Sequence, residues 1–323
     1  MKKILITGAT GFVGGAIMHE LLRLDMPIIA AVRKNSGLLP NAVKQIKISE
    51  ISSNTGWMPA LEGVDVVIHT AARVHVMDDS SADPLTEFRQ VNTAGTLNLA
   101  RQAAEVGVRR FVFISSIKVN GEMTLIDQPF KPNDNHIPTD SYGLSKYEAE
   151  QGLLIIAKET GMEVVIIRPP LVYGAGVKAN FASMMKWMDK SIPLPFGAIH
   201  NKRSLVALDN LVSFIIHCAD YKKTPQAANQ VFLISDNEDV STTELLRKVT
   251  KAFGKKSALI PMPVCLMVLA AKLIGKGDVA NRLFGSLQVD SSKARNLLDW
   301  KPVITMDEQL NKAVTAYLEK KKD

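Results

Sequence analysis

Lys3-Ile4-Leu5-Ile6-Thr7-Gly8-Ala9-Thr10-Gly11-Phe12-Val13-Gly14 decides the fold. An apolar run meets three glycines spaced Gly-x-x-Gly-x-x-Gly, and a helical pattern, Gly11–Leu24, begins at once. A strand that ends on glycine and restarts as a helix can turn tightly, because glycine takes backbone angles other residues avoid. The bare backbone can then approach a pyrophosphate, which sits on the N–H groups of the helix N-terminus. The spacing is not the more familiar Gly-x-Gly-x-x-Gly. The strand–turn–helix context therefore carries more weight than the glycines themselves.

The same rhythm continues outward from this turn. Lys3–Thr7, Ile28–Val32, Val43–Ile48, Val64–Thr70, Arg110–Ser115 and Val164–Arg168 read as strands. All but the third are dense in Val, Ile, Phe or Leu without clean alternation, as strands buried on both faces of a parallel sheet are. Between them, Asp83 and Pro84 cap a long helix running to Val106 with Gly107 as its stop, and Tyr142–Thr160 forms another ending at Gly161. Strand–helix alternation predicts an α/β fold, a Rossmann-type doubly wound parallel sheet.

After Pro169-Pro170 the spacing loosens into Asn180–Asp189, Leu208–Ala219, Ser241–Phe253, Pro263–Ile274 and Ser291–Leu298. These predict a smaller, mostly helical substrate-binding cap. The expected division is a dinucleotide-binding domain over residues 1–170 and a region over 171–323 that is mainly cap. A segment near 204–235, which includes the strand-like Gln230–Ile234, returns to the main sheet.

Composition narrows the function classes. The net charge of +7 is scattered apart from Lys320-Lys321-Lys322, which suits a small anionic ligand better than nucleic acid, whose binders concentrate basic residues in a stripe. The six histidines show no metal-ligand spacing, so no metal is expected. His69, in a strand, reads as a satisfied core residue, His75 and His136 as nearer a substrate mouth, and Met77-Asp78-Asp79 as a solvated loop. Cys218 and Cys265 lie in apolar helical stretches and are expected to be buried, reduced thiols. Glycines interrupt the apolar start where a signal peptide needs a longer run. Pro263–Ile274 is too short to span a bilayer and contains Lys272, so it reads as a buried or half-buried helix and a cytoplasmic location is expected.

The chemistry gathers at the carboxyl ends of the strands, where ligands bind in such sheets. The second strand ends Ala30-Ala31-Val32-Arg33-Lys34, without the acidic residue that bonds a ribose hydroxyl. Arg33 suits a 2′-phosphate instead, so NADP is expected as the preferred cofactor, with NAD possible. Tyr142-Gly143-Leu144-Ser145-Lys146 places a phenol and an ammonium on one helix face. A lysine beside a tyrosine is expected to lower the phenol pKa. Ser115-Ser116 ends the fifth strand and Thr70-Ala71-Ala72 the fourth, where small residues leave room for a cofactor. Asn92 and Thr96 lie on the following helix.

With these residues the chain resembles extended short-chain dehydrogenase/reductases, in particular the nucleotide-sugar epimerase/dehydratase group, over nearly its whole length. The resemblance implies that Gly8, Thr10, Gly11, Phe12, Val13 and Gly14 cradle the cofactor pyrophosphate. It implies that Glu50 and Ile51 flank the adenine, that Ala71 and Ala72 line the ribose and nicotinamide path, and that Pro169 belongs to the cofactor side. Ser116, Tyr142 and Lys146 become the catalytic group, with Asn92 supporting the lysine. Ser116 is chosen over Ser115 because it stands three residues before Val119 in the group's Ser-x-x-Val-Tyr-Gly pattern, whose tyrosine is here Asn120. Arg168-Pro169-Pro170-Leu171-Val172-Tyr173-Gly174 is similar to the group's Arg-Pro-x-x-Val-Tyr-Gly stretch. Asn180, Arg203 and Arg282 stand where contacts to a substrate diphosphate are expected.

Ile117 and Lys118 occupy the positions of the Asp-Glu pair of hexose dehydratases, which argues against dehydration. The leading expectation is NADPH-dependent reduction at C4 of a UDP-4-keto-6-deoxy-hexosamine. The second is a UDP-hexose 4-epimerase, on UDP-glucose or UDP-N-acetylglucosamine, with tightly bound NAD. A UDP-sugar substrate and a homodimer built from the Tyr142 helix and the long helix after Pro84 complete what the resemblance implies.

Overall fold

The computed structural model describes residues 2–34, 37, 39–74, 83–177, 179–273, 275 and 277–322, without the side chains at 179, 180, 278 and 279. His75 and the Met77-Asp78-Asp79 run lie outside the described residues. The strands are β1 (Ile4–Thr7), β2 (Ile28–Val32), β3 (Lys44–Lys47), β4 (Val66–His69), β5 (Arg110–Ile114), β6 (Glu163–Arg168), β7 (Leu171–Tyr173), β8 (Arg203–Ala207), β9 (Gln230–Leu233) and β10 (Asp239–Val240). Seven of them form one parallel sheet in the order β3-β2-β1-β4-β5-β6-β9. The remaining three make a small sheet, β10-β8-β7, at its flank.

Helices α1 (Phe12–Arg23), α2 (Met58–Leu61), α3 (Pro84–Phe88), α4 (Thr96–Glu105) and α5 (Ser141–Thr160) belong to the first half of the chain. They are followed by α6 (Ala179–Asp189), α7 (Leu208–Ala219), α8 (Thr242–Ala252), α9 (Val264–Leu273), α10 (Gly277–Phe284), α11 (Ser292–Leu298) and α12 (Met306–Lys320). Both faces of the main sheet are covered, which is why its strands are apolar throughout. Ile4 and Ile6 of β1 pack under α1 and α7, while Leu5 between them packs on the other side with Leu99 of α4 and Leu153 of α5. This is the doubly wound arrangement predicted from the strand–helix alternation. Asp83 caps α3 through the Thr86 amide, and Gly161 ends α5 at φ 74°.

α7 lies within the 204–235 segment expected to return to the main sheet, and its Leu211, Phe214 and Ile215 join the core under β1. Two expectations need correction. α12 had no counterpart in the sequence reading, yet Met306, Leu310, Ala313 and Val314 bury one face of it against α6 and α8. Pro263–Ile274 was read as buried or half-buried. In α9 only Met267 is buried, because the helix leans mainly on α10 and one neighbour cannot cover an apolar surface that runs all round. Cys265 on α9 is therefore exposed, whereas Cys218 is buried.

Candidate active site

The turn after β1 is a cradle with no room for side chains. Gly8 sits at φ 76°, and a Cβ there would come 2.6 Å from Thr70 Oγ1 and 2.8 Å from the Ala71 amide. A Cβ on Gly14 would overlap the Gly8 carbonyl and lie 2.7 Å from Thr70 Oγ1. The Gly11 amide donates to the Gly8 carbonyl at 2.8 Å and closes the turn. α1 starts at Gly11 with neither a side-chain cap nor an acidic residue in its first turn. Its leading amides, through Phe12 and Val13, are the donors a pyrophosphate takes. Thr10 and Gly11 are exposed at the rim. These features fit a dinucleotide.

Ala71 and Ala72 follow β4 and are half-buried beside this turn, tied to it by the Thr70 hydroxyl, which donates to the Thr7 carbonyl at 2.7 Å. At the end of β2, Arg33 and Lys34 are exposed. Glu50 is exposed as well, and Ile51 is half-buried against Gly95. Pro169 is buried, and its carbonyl accepts from the Ile117 amide at 3.0 Å in the short 3-10 turn that begins at Ser116.

Ser116, Tyr142 and Lys146 come together at the carboxyl end of β5. Asp140 caps α5, its carboxylate accepting from the Gly143 amide at 3.0 Å. Tyr142, Lys146 and Glu150 then follow one another down one helix face at four-residue intervals. The Ser116 hydroxyl stands beside the Tyr142 phenol. The Phe88 and Tyr142 rings meet edge to face, their centroids 5.9 Å apart. Burial pushes the phenol pKa up to about 12, the Ser116 hydroxyl opposing it. Lys146 donates to the Ile114 carbonyl at 2.9 Å and lies 4.4 Å over the Phe113 ring. Burial holds its pKa down to about 7, against the favourable charge of Glu150. The expectation that Lys146 lowers the Tyr142 pKa is corrected: the ammonium is turned to Ile114, and desolvation dominates both groups.

Behind this group lies a buried polar chain. Glu150 accepts from the Ser115 hydroxyl at 2.5 Å and pairs with Arg168, whose Nη2 stands 2.5 Å from its other oxygen. Arg168 Nη1 also donates to Asn120 at 2.9 Å, and Asn120 donates to the Lys131 carbonyl at 2.8 Å. Asn92, in a π-helical stretch at Arg89–Gly95, binds the Arg73 amide at 2.8 Å and donates to Ser145 at 3.0 Å. It thus steadies the residue before Lys146 rather than Lys146 itself. His69 has both ring nitrogens held, at 2.7 Å by Thr7 and 2.9 Å by Thr96, and burial lowers its pKa to about 3.

On the cap side, Arg203 Nη1 donates to the carbonyls of Arg282 at 2.6 Å and Gly285 at 3.1 Å. Its guanidinium therefore closes the end of α10, and burial lowers its pKa. Arg282 reaches outward, with Glu122 at 4.0 Å. Asn180 lies in the first turn of α6, with its side chain outside the description, and His136 is exposed.

Residues 4–234 match the model of the NAD dependent epimerase/dehydratase family. The chain belongs to that family. A UDP-glucose 4-epimerase of Vibrio cholerae is 52% identical over 324 residues, covering 98% of this chain and 96% of the relative. Among solved structures, UDP-glucuronic acid 4-epimerase from Bacillus cereus in complex with NAD superposes at a TM-score of 0.77, with 21% identity over 98% of this chain and 99% of that one. UDP-glucose 4-epimerase from Thermotoga maritima, with UDP-glucose, gives 0.74 and 22% identity over 98% and 99%.

Within the epimerase/dehydratase family this chain is an NAD(P)-dependent enzyme. The full-length match to a 4-epimerase overturns the leading expectation of net reduction by NADPH. The lean toward NADP finds no support either. It rested on the missing acidic residue at the end of β2 and on Arg33 beside Lys34; the Arg33 side chain is exposed there, while the solved neighbour holds NAD. Among the described residues no cluster of side chains could hold a metal ion, and no helix is long and apolar enough to cross a membrane. The sequence reading missed Glu150, Arg168 and Asn120 as parts of the site. The signal was present in Tyr-x-x-x-Lys-x-x-x-Glu over 142–150, since a third residue at the same spacing must share the face of the first two. Lys118, at a dehydratase carboxylate position, pairs with Glu122 at 3.0 Å and Asp140 at 3.2 Å and so steadies the cap of α5.

Proposed function

We propose that this chain is a UDP-hexose 4-epimerase that retains NAD through its cycle and interconverts UDP-glucose and UDP-galactose or their N-acetylamino counterparts. The observation that carries the reading is the 52% identity to a UDP-glucose 4-epimerase over 98% of the chain. NAD, when bound, supplies a reversible hydride acceptor and a positive charge. Gly8, Gly11 and Gly14, with the uncapped start of α1, hold its pyrophosphate, and Ala71, Ala72 and Pro169 face the rest of it.

Tyr142 takes the proton from the C4 hydroxyl when that carbon is oxidised and gives it back afterwards. A phenol at about 12 is protonated at neutral pH, so it works as a base only once a positive charge stands beside it. Ser116, beside the phenol, reaches the same sugar oxygen. Lys146, near its midpoint at neutral pH, contributes charge from the turn below. Ile117 and Lys118 leave no acid–base pair for dehydration. Arg203 positions α10, from which Arg282 meets the diphosphate, and Asn180 is assigned to the same group. Residues 1–170 with the 204–235 return form the cofactor-binding part in this reading, and α4 and α5 form the dimer contact.

The test is conversion of UDP-galactose to UDP-glucose by protein whose bound nucleotide has been identified after acid release. The expected result is copurified NAD, conversion without lasting absorbance change at the reduced-nicotinamide band, and a loss of about 10²–10⁴-fold in Tyr142→Phe, the range for one acid–base group. Near-normal turnover in that variant, or stoichiometric oxidation of added NADPH, overturns the reading.

A further inference from the structure

α9 presents an apolar surface to solvent. Leu266, Leu269 and Leu273 are 54%, 56% and 79% exposed, and Ile260 and Met262 continue the line toward the helix start. The leucines recur at three- and four-residue spacing, so they share one face. The segment before α9 is fixed against the cap. Leu194 and Ile260 are joined by a 2.8 Å backbone bond, and the Gly197 amide donates to the Ile260 carbonyl at 2.9 Å. That pairing brings Ile192 and, through its bond to the Ile192 amide, Trp187 to the same edge; both are exposed. A patch of this kind marks a surface built for a partner.

Its charges say which partner. From Phe253 to Leu273 the chain carries Lys255, Lys256 and Lys272 and no Asp or Glu. At the neighbouring end of α6, Lys186 and Lys190 are exposed. The acid between them, Asp189, is covered by Lys255 and Lys321. Leucines at the centre, lysines at the border and a tryptophan at the edge are the make-up of a helix that lies in the plane of an anionic bilayer surface. At ten residues α9 is too short to cross one. A two-fold contact with a second copy would set the lysine border against itself.

We propose that α9 and the adjoining Trp187–Ile192 edge dock this protein on an anionic phospholipid surface, α9 lying parallel to the membrane with its leucines among the headgroups. Each lysine near such a surface adds roughly fivefold to the affinity, and the contribution falls with salt.

The experiment is flotation of the full chain with phosphatidylglycerol-rich vesicles and with pure phosphatidylcholine vesicles, together with sedimentation velocity of the free protein. The parent should float with the anionic vesicles at low salt and not with the zwitterionic ones. Leu266→Ser/Leu269→Ser/Leu273→Ser should lose roughly tenfold or more of that binding. Lys256→Glu/Lys272→Glu should lose a comparable share, with bound nucleotide and the unfolding midpoint unchanged in both variants. No flotation with anionic vesicles overturns the proposal. So does flotation that survives the three serines, since the net charge alone then accounts for it. A larger free species that the same serines dissolve, without vesicle binding, assigns the face to a second copy and overturns the lipid surface.

Discussion

Lys146→Met should make the protein more stable at neutral pH while destroying its activity. Lys146 is 1% exposed, and its pKa is about 7 against an ordinary 10.5. Between those two values the unfolded chain binds more protons than the folded one, so stability rises with pH across that window and is lowest below about 7. The gap of about 3.5 pH units, at about 1.36 kcal/mol each, puts the cost of the buried ammonium on the order of 5 kcal/mol. Methionine keeps the unbranched apolar stem without charge. It leaves the Ile114 carbonyl without its donor, which costs about 1–3 kcal/mol. The variant should therefore exceed the parent by about 2–4 kcal/mol near pH 6, and the gain should shrink above pH 7 and vanish near pH 9. Urea unfolding of both chains, freed of nucleotide so that ligand binding does not enter the difference, measures it. A difference that stays flat across that range, or a variant less stable than the parent near pH 6, refutes the reasoning.

Three further outcomes follow from the same geometry. Gly14→Ala should fail to retain NAD and lose about 1–3 kcal/mol, because its methyl overlaps the Gly8 carbonyl; acid-released nucleotide and a urea midpoint read both. Glu150→Gln should cost about 3–5 kcal/mol in urea unfolding, since it strands the Arg168 guanidinium in the interior, and Glu150→Gln/Arg168→Met should recover part of that loss. Arg33→Ala should leave NAD content unchanged, because the side chain is exposed beyond β2; a several-fold drop in bound NAD would place it in the cofactor site after all.

The sheet was legible because every strand except β3 carries its burial in its composition, and because Gly8, Asp83 and Gly161 mark turns and caps by their own chemistry. The positions of Ser116, Tyr142 and Lys146 were legible from one helical period and one strand end. Lys146's orientation was not, because it depends on the Ile114 carbonyl and the Phe113 ring, which only the β5–α5 packing brings within reach. α12 was missed although Thr305 and Glu308 form a capping box at its start. The exposure of α9 was not legible, because composition reports how apolar a segment is, whereas exposure depends on how many neighbours reach it. The choice of net reduction over epimerisation leaned on the missing acidic residue after β2 and the missing dehydratase carboxylates, neither of which separates the two, since the same three residues serve both.

The π-helical stretch at Arg89–Gly95 gives this helix one spare residue. A π-turn amounts to one extra residue in an otherwise regular helix. Deleting one of the seven would let the ladder relax to ordinary α geometry while α4 beyond it keeps its phase. Thr96 would stay against His69. The loss would fall on the stretch itself, where Asn92 holds the Arg73 amide and Ser145. The bulge is thus a place where the helix can shorten without turning, at the expense of the one polar side chain that it aims at the residue before Lys146.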